Sequence, residues 1–171
     1  MEVNLEQALK LDEMLHALLL SQSGIPVLYS GDEIGQKNDY TYHNDPLKAA
    51  DSRYLHRGNM DWAAAGKREN PDTVEGKIFN AIETLRKTRA RNPAFHAQAD
   101  VWVMDPHNDH VLAIGRYHGG QALVALFNFS SESQYVTIRE EGSFADLLTG
   151  EKVNLQSMML PGYSFRWITE E

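Results

Sequence analysis

Asp32 and Glu33 stand side by side where an apolar run ends in a small polar turn, within GIPVLYSGDEIG at residues 24–35. Two carboxyl groups at one site can divide labour between nucleophile and general acid. Neighbouring residues of an extended chain point to opposite sides, however. That geometry argues against both flanking one bond, and for acids that order a loop at the lip of a site. Arg53 and His56 follow in AADSRYLHRGNMDW, residues 49–62. The planar fork of an arginine can hold a carboxylate bidentately and stays charged, so Arg53 either serves a ligand pocket or pairs locally with Asp51 or Asp45. His56 and Arg57 either contact a ligand or brace the loop, and bracing is favoured. His107, His110 and His118 have a spacing that permits a metal site. They fall at or beside expected hairpin turns with no cysteine nearby, so they read as surface histidines. No metal and no cofactor is expected.

The chain that carries these residues is acidic. Its 171 residues hold 16 Lys and Arg against 24 Asp and Glu, for a formal charge of −8. A nucleic-acid binder would show a basic face, and an anionic membrane offers this chain no attraction. A neutral partner such as a sugar fits. The absence of cysteine removes disulfides and thiol nucleophiles. The start, MEVNLEQALK, does not read as a signal peptide, and the apolar stretch near residues 15–20 is too short to span a bilayer. A cytoplasmic protein is expected.

Periodicity supplies the elements that must position the candidates. Leu5, Ala8, Leu9, Leu15, Leu18 and Leu19 share a helical face over residues 5–20, with SQSG and Gly24 as the stop. Ile25 to Tyr29 is apolar without alternation, the pattern of a strand covered on both faces, with Pro26 at its start. Residues 31–72 are polar, aromatic and turn-rich, an ordered loop layer over a site. A second helix begins at Asp72 with Glu75 as a capping-box pair. It carries Val74, Ile78, Phe79, Ile82 and Leu85 as its apolar stripe and ends at Asn92-Pro93. VWVM, HVLAIGRYH, ALVALFNF, QYVTI, FADLL, KVNL and YSFRWI then read as short strands of an antiparallel sandwich. The expected division is an α/β piece over 1–95 and a β domain over 96–171. One parallel-type strand needs neighbours that residues 1–95 do not supply. Either a larger protein or another copy covers it, or the segment packs differently.

The two quoted segments together resemble glycoside hydrolase family 13, the α-amylase family. GIPVLYSGDEIGQ is similar to that family's eighth barrel strand and following loop. AADSRYLHRGNMDW resembles the Asp-Ser-Arg-aromatic-x-His-Arg-x-x-Met-Asp-Trp run of its amylosucrase branch. The likeness extends to LPGYSFRWI, which looks like the last strand of the family's C-terminal β domain. Two departures, Tyr54 where that branch often has Trp and Gly58 where it often has Pro, leave sucrose hydrolysis open.

The resemblance implies the C-terminal end of a (β/α)8 barrel, with its last strand and flanking helices, followed by an antiparallel β-sandwich. It implies retaining glucosyl transfer from sucrose to an α-glucan acceptor or to water, which needs two carboxyl groups roughly 5–5.5 Å apart. In that family those groups come from earlier strands, which would lie upstream of residue 1. No catalytic residue is therefore assigned in this chain, which is expected to be inactive alone. Arg53, Asp32 and His56 are the candidate substrate-binding residues, with Arg53 at the bottom of the glucose pocket. Asp45 could join a calcium site as in some amylases, but the amylosucrase branch gives that little support. Met60 and Trp62 would form an acceptor platform or a satellite core. Trp102, Tyr163 and Trp167 would mark a glucan-binding surface or, as favoured, pack in the core. A non-catalytic carbohydrate-binding module is the alternative from a different class, and self-association through an uncovered barrel edge is a further expectation.

Overall fold

The computed structural model describes residues 4–171. These fall into two compact units. One comprises the described residues up to Val27 together with Ala81–Glu171, and the other is Leu28–Asn80.

The larger unit is built on a six-stranded antiparallel sheet of order β1-β2-β3-β8-β5-β6. Its strands are β1 (Asp100–Met104), β2 (Val111–His118), β3 (Gln121–Asn128), β5 (Phe144–Asp146), β6 (Lys152–Val153) and β8 (Phe165–Glu170). A two-stranded ribbon pairs β4 (Gln134–Val136) with β7 (Met158–Leu160). Residues along a strand alternate between faces, and β3 uses both. Leu123, Ala125 and Phe127 join Met14, Ala17 and Leu20 of helix α1 (Leu5–Ser21) in one core, together with the fully buried Trp167. Val124 and Leu126 join Val136 and Leu160 of the ribbon in a second core. Burying a Val, Leu or Ile contributes roughly 1.5–3 kcal/mol, so a central strand apolar on both faces is held from both sides.

Helix α1 starts where the Asn4 side chain accepts from the Glu6 and Gln7 N–H groups, at 3.1 and 3.3 Å. It stops at Ser21, earlier than Gly24, whose φ of 83° belongs to the connection beyond. Its last carbonyls are met by a buried arginine of β2. Arg116 donates to Ser21 O (2.7 Å) and Gln22 O (3.0 Å), and also to Ala94 O (2.8 Å) and His96 O (3.1 Å). Arg89 donates to Leu20 O. Cations at a helix C-terminus complement both the free carbonyls and the macrodipole.

The smaller unit is made of turns. It holds 3-10 helices at Asp32–Ile34, Tyr40–Asn44 and Ser52–His56, the short α2 (Trp62–Ala65), and the first turns of α3 (Val74–Arg91). Asp39, Asp51 and Asp61 each precede one of these helices and accept a backbone N–H from within it, from Thr41, Arg53 and Ala64 respectively. Such local bonding is what makes aspartate a turn and cap residue. Helix α3 is capped one residue later than Asp72, by the Thr73 hydroxyl, which accepts from Gly76 N–H at 3.1 Å.

Three expectations change. No strand forms at residues 25–29, and among the described residues the first strand begins at Asp100. Ile25 and Val27 are 83% and 76% exposed, and Tyr29 is exposed as well. A parallel strand requires a ladder partner, and with none the segment stays unpaired; the expected barrel is not seen. The second layer of the expected sandwich is only the β4-β7 ribbon. Strand β7 was not legible because Met-Met-Leu lacks β-branched or aromatic residues. Helix α1, which precedes residue 95, shares one core with the sheet.

Candidate functional site

A cleft of about 430 Å³ opens in the smaller unit, lined by two stretches, Tyr29–Asp32 with Gln36–Asn38, and Arg53 with His56 and Arg57. It gathers Asp32, Arg53 and His56, which lie up to 24 positions apart in sequence.

The first wall is a tight reversal. Gly31 and Gly35 flank the Asp32–Ile34 3-10 turn with φ of 101° and 63°, left-handed values that suit glycine. At Gly35 a Cβ would also fall 2.5 Å from Ile78 Cδ1. Both acids fold back on this turn. Asp32 Oδ2 accepts from Tyr29 N–H at 3.1 Å, and Glu33 Oε2 accepts from Gly31 N–H at 2.9 Å. Gln36 ties the turn to the segment beyond residue 58. Its amide donates to Asn59 O and accepts from Asp61 N–H, each at 3.3 Å.

The second wall is the Ser52–His56 turn. Asp51 accepts from Arg53 N–H (3.0 Å), Nε (2.8 Å) and Nη2 (2.7 Å), so the guanidinium is held in a fork by its own cap residue. Those bonds pull the Asp51 carboxyl down from 3.8 to about 2, with the charges of Arg53 and Arg57 adding to them. They raise the Arg53 guanidinium in turn. Tyr54 carries Lys48 and Arg57 over its ring at 5.6 and 5.9 Å from the centroid. His56 Nδ1 lies 3.0 Å from Asn38 Oδ1. That oxygen can only accept, so the Nδ1–H donates to it.

The lining is cationic within an acidic chain: Lys37, Arg53 and Arg57 face one acid, Asp32. It offers hydroxyl-binding groups of both signs. It holds no second carboxylate to act with Asp32 across a bond. Lys37 and Asn38 were missed from the sequence, where QKN has no pattern of its own; their place follows from the Gly31–Gly35 reversal. Among the other candidates, Trp167 is fully buried, Trp102 is 46% exposed and Trp62 is 78% exposed, so neither Trp62 nor Trp102 is a core residue. Among the described residues no group of three His, Asp or Glu is gathered as for a metal ion, and no helix is long and apolar enough to cross a membrane.

No family model matches the chain. Curated relatives include glucosylglycerate phosphorylase of Escherichia coli (strain K12), 28% identical over 127 residues that make up 73% of this chain and 22% of the relative. Another is alpha-amylase MalA of Haloarcula japonica, 26% identical over 138 residues, 78% of this chain and 17% of the relative. The chain thus spans about a fifth of the length of these relatives. Among solved structures, AmyP E221Q in complex with maltotriose aligns with 95% of this chain and 35% of its own, at a TM-score of 0.71 and 18% identity. A maltogenic amylase from S. marinus aligns with 95% of this chain and 19% of its own, at 0.65 and 20%. These likenesses establish the fold: a mostly antiparallel β domain with few helices.

Proposed function

We propose that the chain is the C-terminal part of an α-amylase-family enzyme of the amylosucrase type. In this reading it supplies one wall of a sugar pocket, and the reacting carboxylates belong to residues outside the chain. The observation that carries the reading is the meeting of Asp32, Arg53 and His56 in one cleft, drawn from the two segments that carry the resemblance. A maltogenic amylase and the maltotriose complex of AmyP E221Q among the structural neighbours support a sugar as the ligand. In the intact enzyme the glucosyl unit of sucrose would sit against Arg53, whose fork stays charged and fixed by Asp51. An attacking carboxylate and a proton donor on other strands would expel fructose.

Phosphorolysis is a second reading, favoured by the cationic lining of Lys37, Arg53 and Arg57 and by the relative named a phosphorylase. Sucrose hydrolysis is a third, resting on Tyr54 and Gly58. Product analysis separates them. The enzyme containing this chain should release fructose from sucrose without phosphate and elongate an α-glucan. Release that requires phosphate would favour the second reading, and free glucose as the main product the third. Arg53→Ala in that enzyme should lower kcat/KM on sucrose at least about tenfold, the loss expected when charge-assisted bonds to a substrate are removed. An unchanged value would remove Arg53 from the pocket.

A further inference from the structure

A second concavity lies in the β domain, on the sheet face that carries the ribbon. The β1–β2 register sets Trp102 opposite Gly115, β2–β3 sets Gly115 opposite Val124, and β3–β8 sets Val124 opposite Ile168. Cross-strand partners share a face. Val124 and Ile168 are core residues on that face, and Trp102 continues the row to the sheet edge. A side chain at Gly115 would collide with the indole, since a Cβ there would lie 2.2–2.5 Å from three of its ring atoms. The glycine therefore lets the indole lie down over the β2 backbone. Even so, Trp102 is 46% exposed, which leaves the ring open to a ligand.

Around it is a cavity of about 230 Å³, with Phe144 and the β1, β3 and β8 side chains as its floor and Glu140, Glu141 and Glu170 at its rim. Lys152 pairs with Glu171, and Arg166 with Asp146 and Glu151, while Arg139 adjoins Glu140 in the sequence. The three exposed rim carboxylates offer acceptor oxygens. Tyr117 lies on the same face, two positions from Gly115 on β2, and is 47% exposed. An apolar aromatic face with acceptors at its edge fits the alternating C–H and O–H surface of a pyranose. A second exposed ring two positions along β2 suits a chain of sugars rather than one.

We propose that Trp102 is the platform of a second, non-catalytic carbohydrate site that holds a neutral oligosaccharide on the β domain. The site is independent of the cleft at Arg53. It would anchor a polymeric substrate or product rather than process it.

Affinity electrophoresis of the 171-residue chain in gels containing glycogen, with maltotriose titration in solution, tests the proposal. Retardation in glycogen is expected, with Trp102→Ala abolishing it and weakening maltotriose binding at least tenfold. Tyr135→Ala, which removes an exposed aromatic that lines neither cavity, should leave it unchanged. If Trp102→Ala does not fold, tryptophan emission of Trp62→Phe decides, because Trp167 is buried and Trp102 is then the exposed indole. Saturating maltotriose should shift that emission. No retardation, retardation that survives Trp102→Ala, an unshifted emission, or binding of tetramethylammonium in place of the sugar would each overturn the proposal. Retardation lost with Arg53→Ala instead would place sugar binding in the cleft and contradict the second site alone.

Discussion

Arg53 and Asp51 show how much one short run of residues settles. Asp51 caps a 3-10 turn through the Arg53 N–H, and the same carboxylate receives the guanidinium. The pair was legible from its spacing as one of two outcomes, a local ion pair or a pocket residue, and the structure gives Arg53 both a local partner and a place on the cleft wall. What sequence could not supply was the facing residues, because Lys37 and Asn38 are brought there by the Gly31–Gly35 reversal. The depressed Asp51 carboxyl makes a pH prediction. Its pKa is lowered on folding, so the capping interaction is complete above the ordinary value of 3.8 and is lost as pH falls through about 2. The Asp51 side-chain carbonyl resonance should therefore hold steady from pH 7 to 4 and titrate near 2, with the Arg53 Nε–H signal moving in parallel. Titration near 3.8 would contradict the fork.

At the scale of elements, most strands of the β domain were readable as short β-prone runs bounded by turn residues. Helix α1 was readable from the helical spacing of its leucines. Its partner was not, since nothing in its apolar stripe says that it packs on a sheet a hundred residues away. The device that joins them is Arg116, wholly buried on β2 and bonded to carbonyls at the end of α1 and in the 94–96 turn. Replacing it with an apolar side chain leaves those carbonyls without their donor. Arg116→Met should therefore cost about 3 kcal/mol or more in a denaturant titration. Arg53→Met, on an exposed turn, should cost no more than about 0.5 kcal/mol. Equal losses would show that Arg116 does not hold the helix end.

For the whole molecule, the informative feature is the unpaired segment at residues 25–29. Its composition reads as a buried strand, yet Ile25 and Val27 are exposed. The misreading is physical: an apolar run predicts burial, and burial requires a partner that the sequence of the run does not contain. If this segment is a barrel strand in a longer enzyme, Ile25→Ser with Val27→Ser should destabilise that enzyme by about 2 kcal/mol or more per site. In the 171-residue chain the same changes should stay within about 0.5 kcal/mol per site. Equal effects in the two proteins would argue against a barrel.

The proposed place of this chain in a sucrose-acting site, with the reacting carboxylates outside it, makes fructose release from sucrose the decisive measurement, for the purified 171-residue chain and for the chain joined to a barrel segment that carries those carboxylates. No release is expected from the first and turnover from the second, lost when Arg53 is replaced. Release from the isolated chain, or a joined enzyme that ignores sucrose, would overturn the proposal.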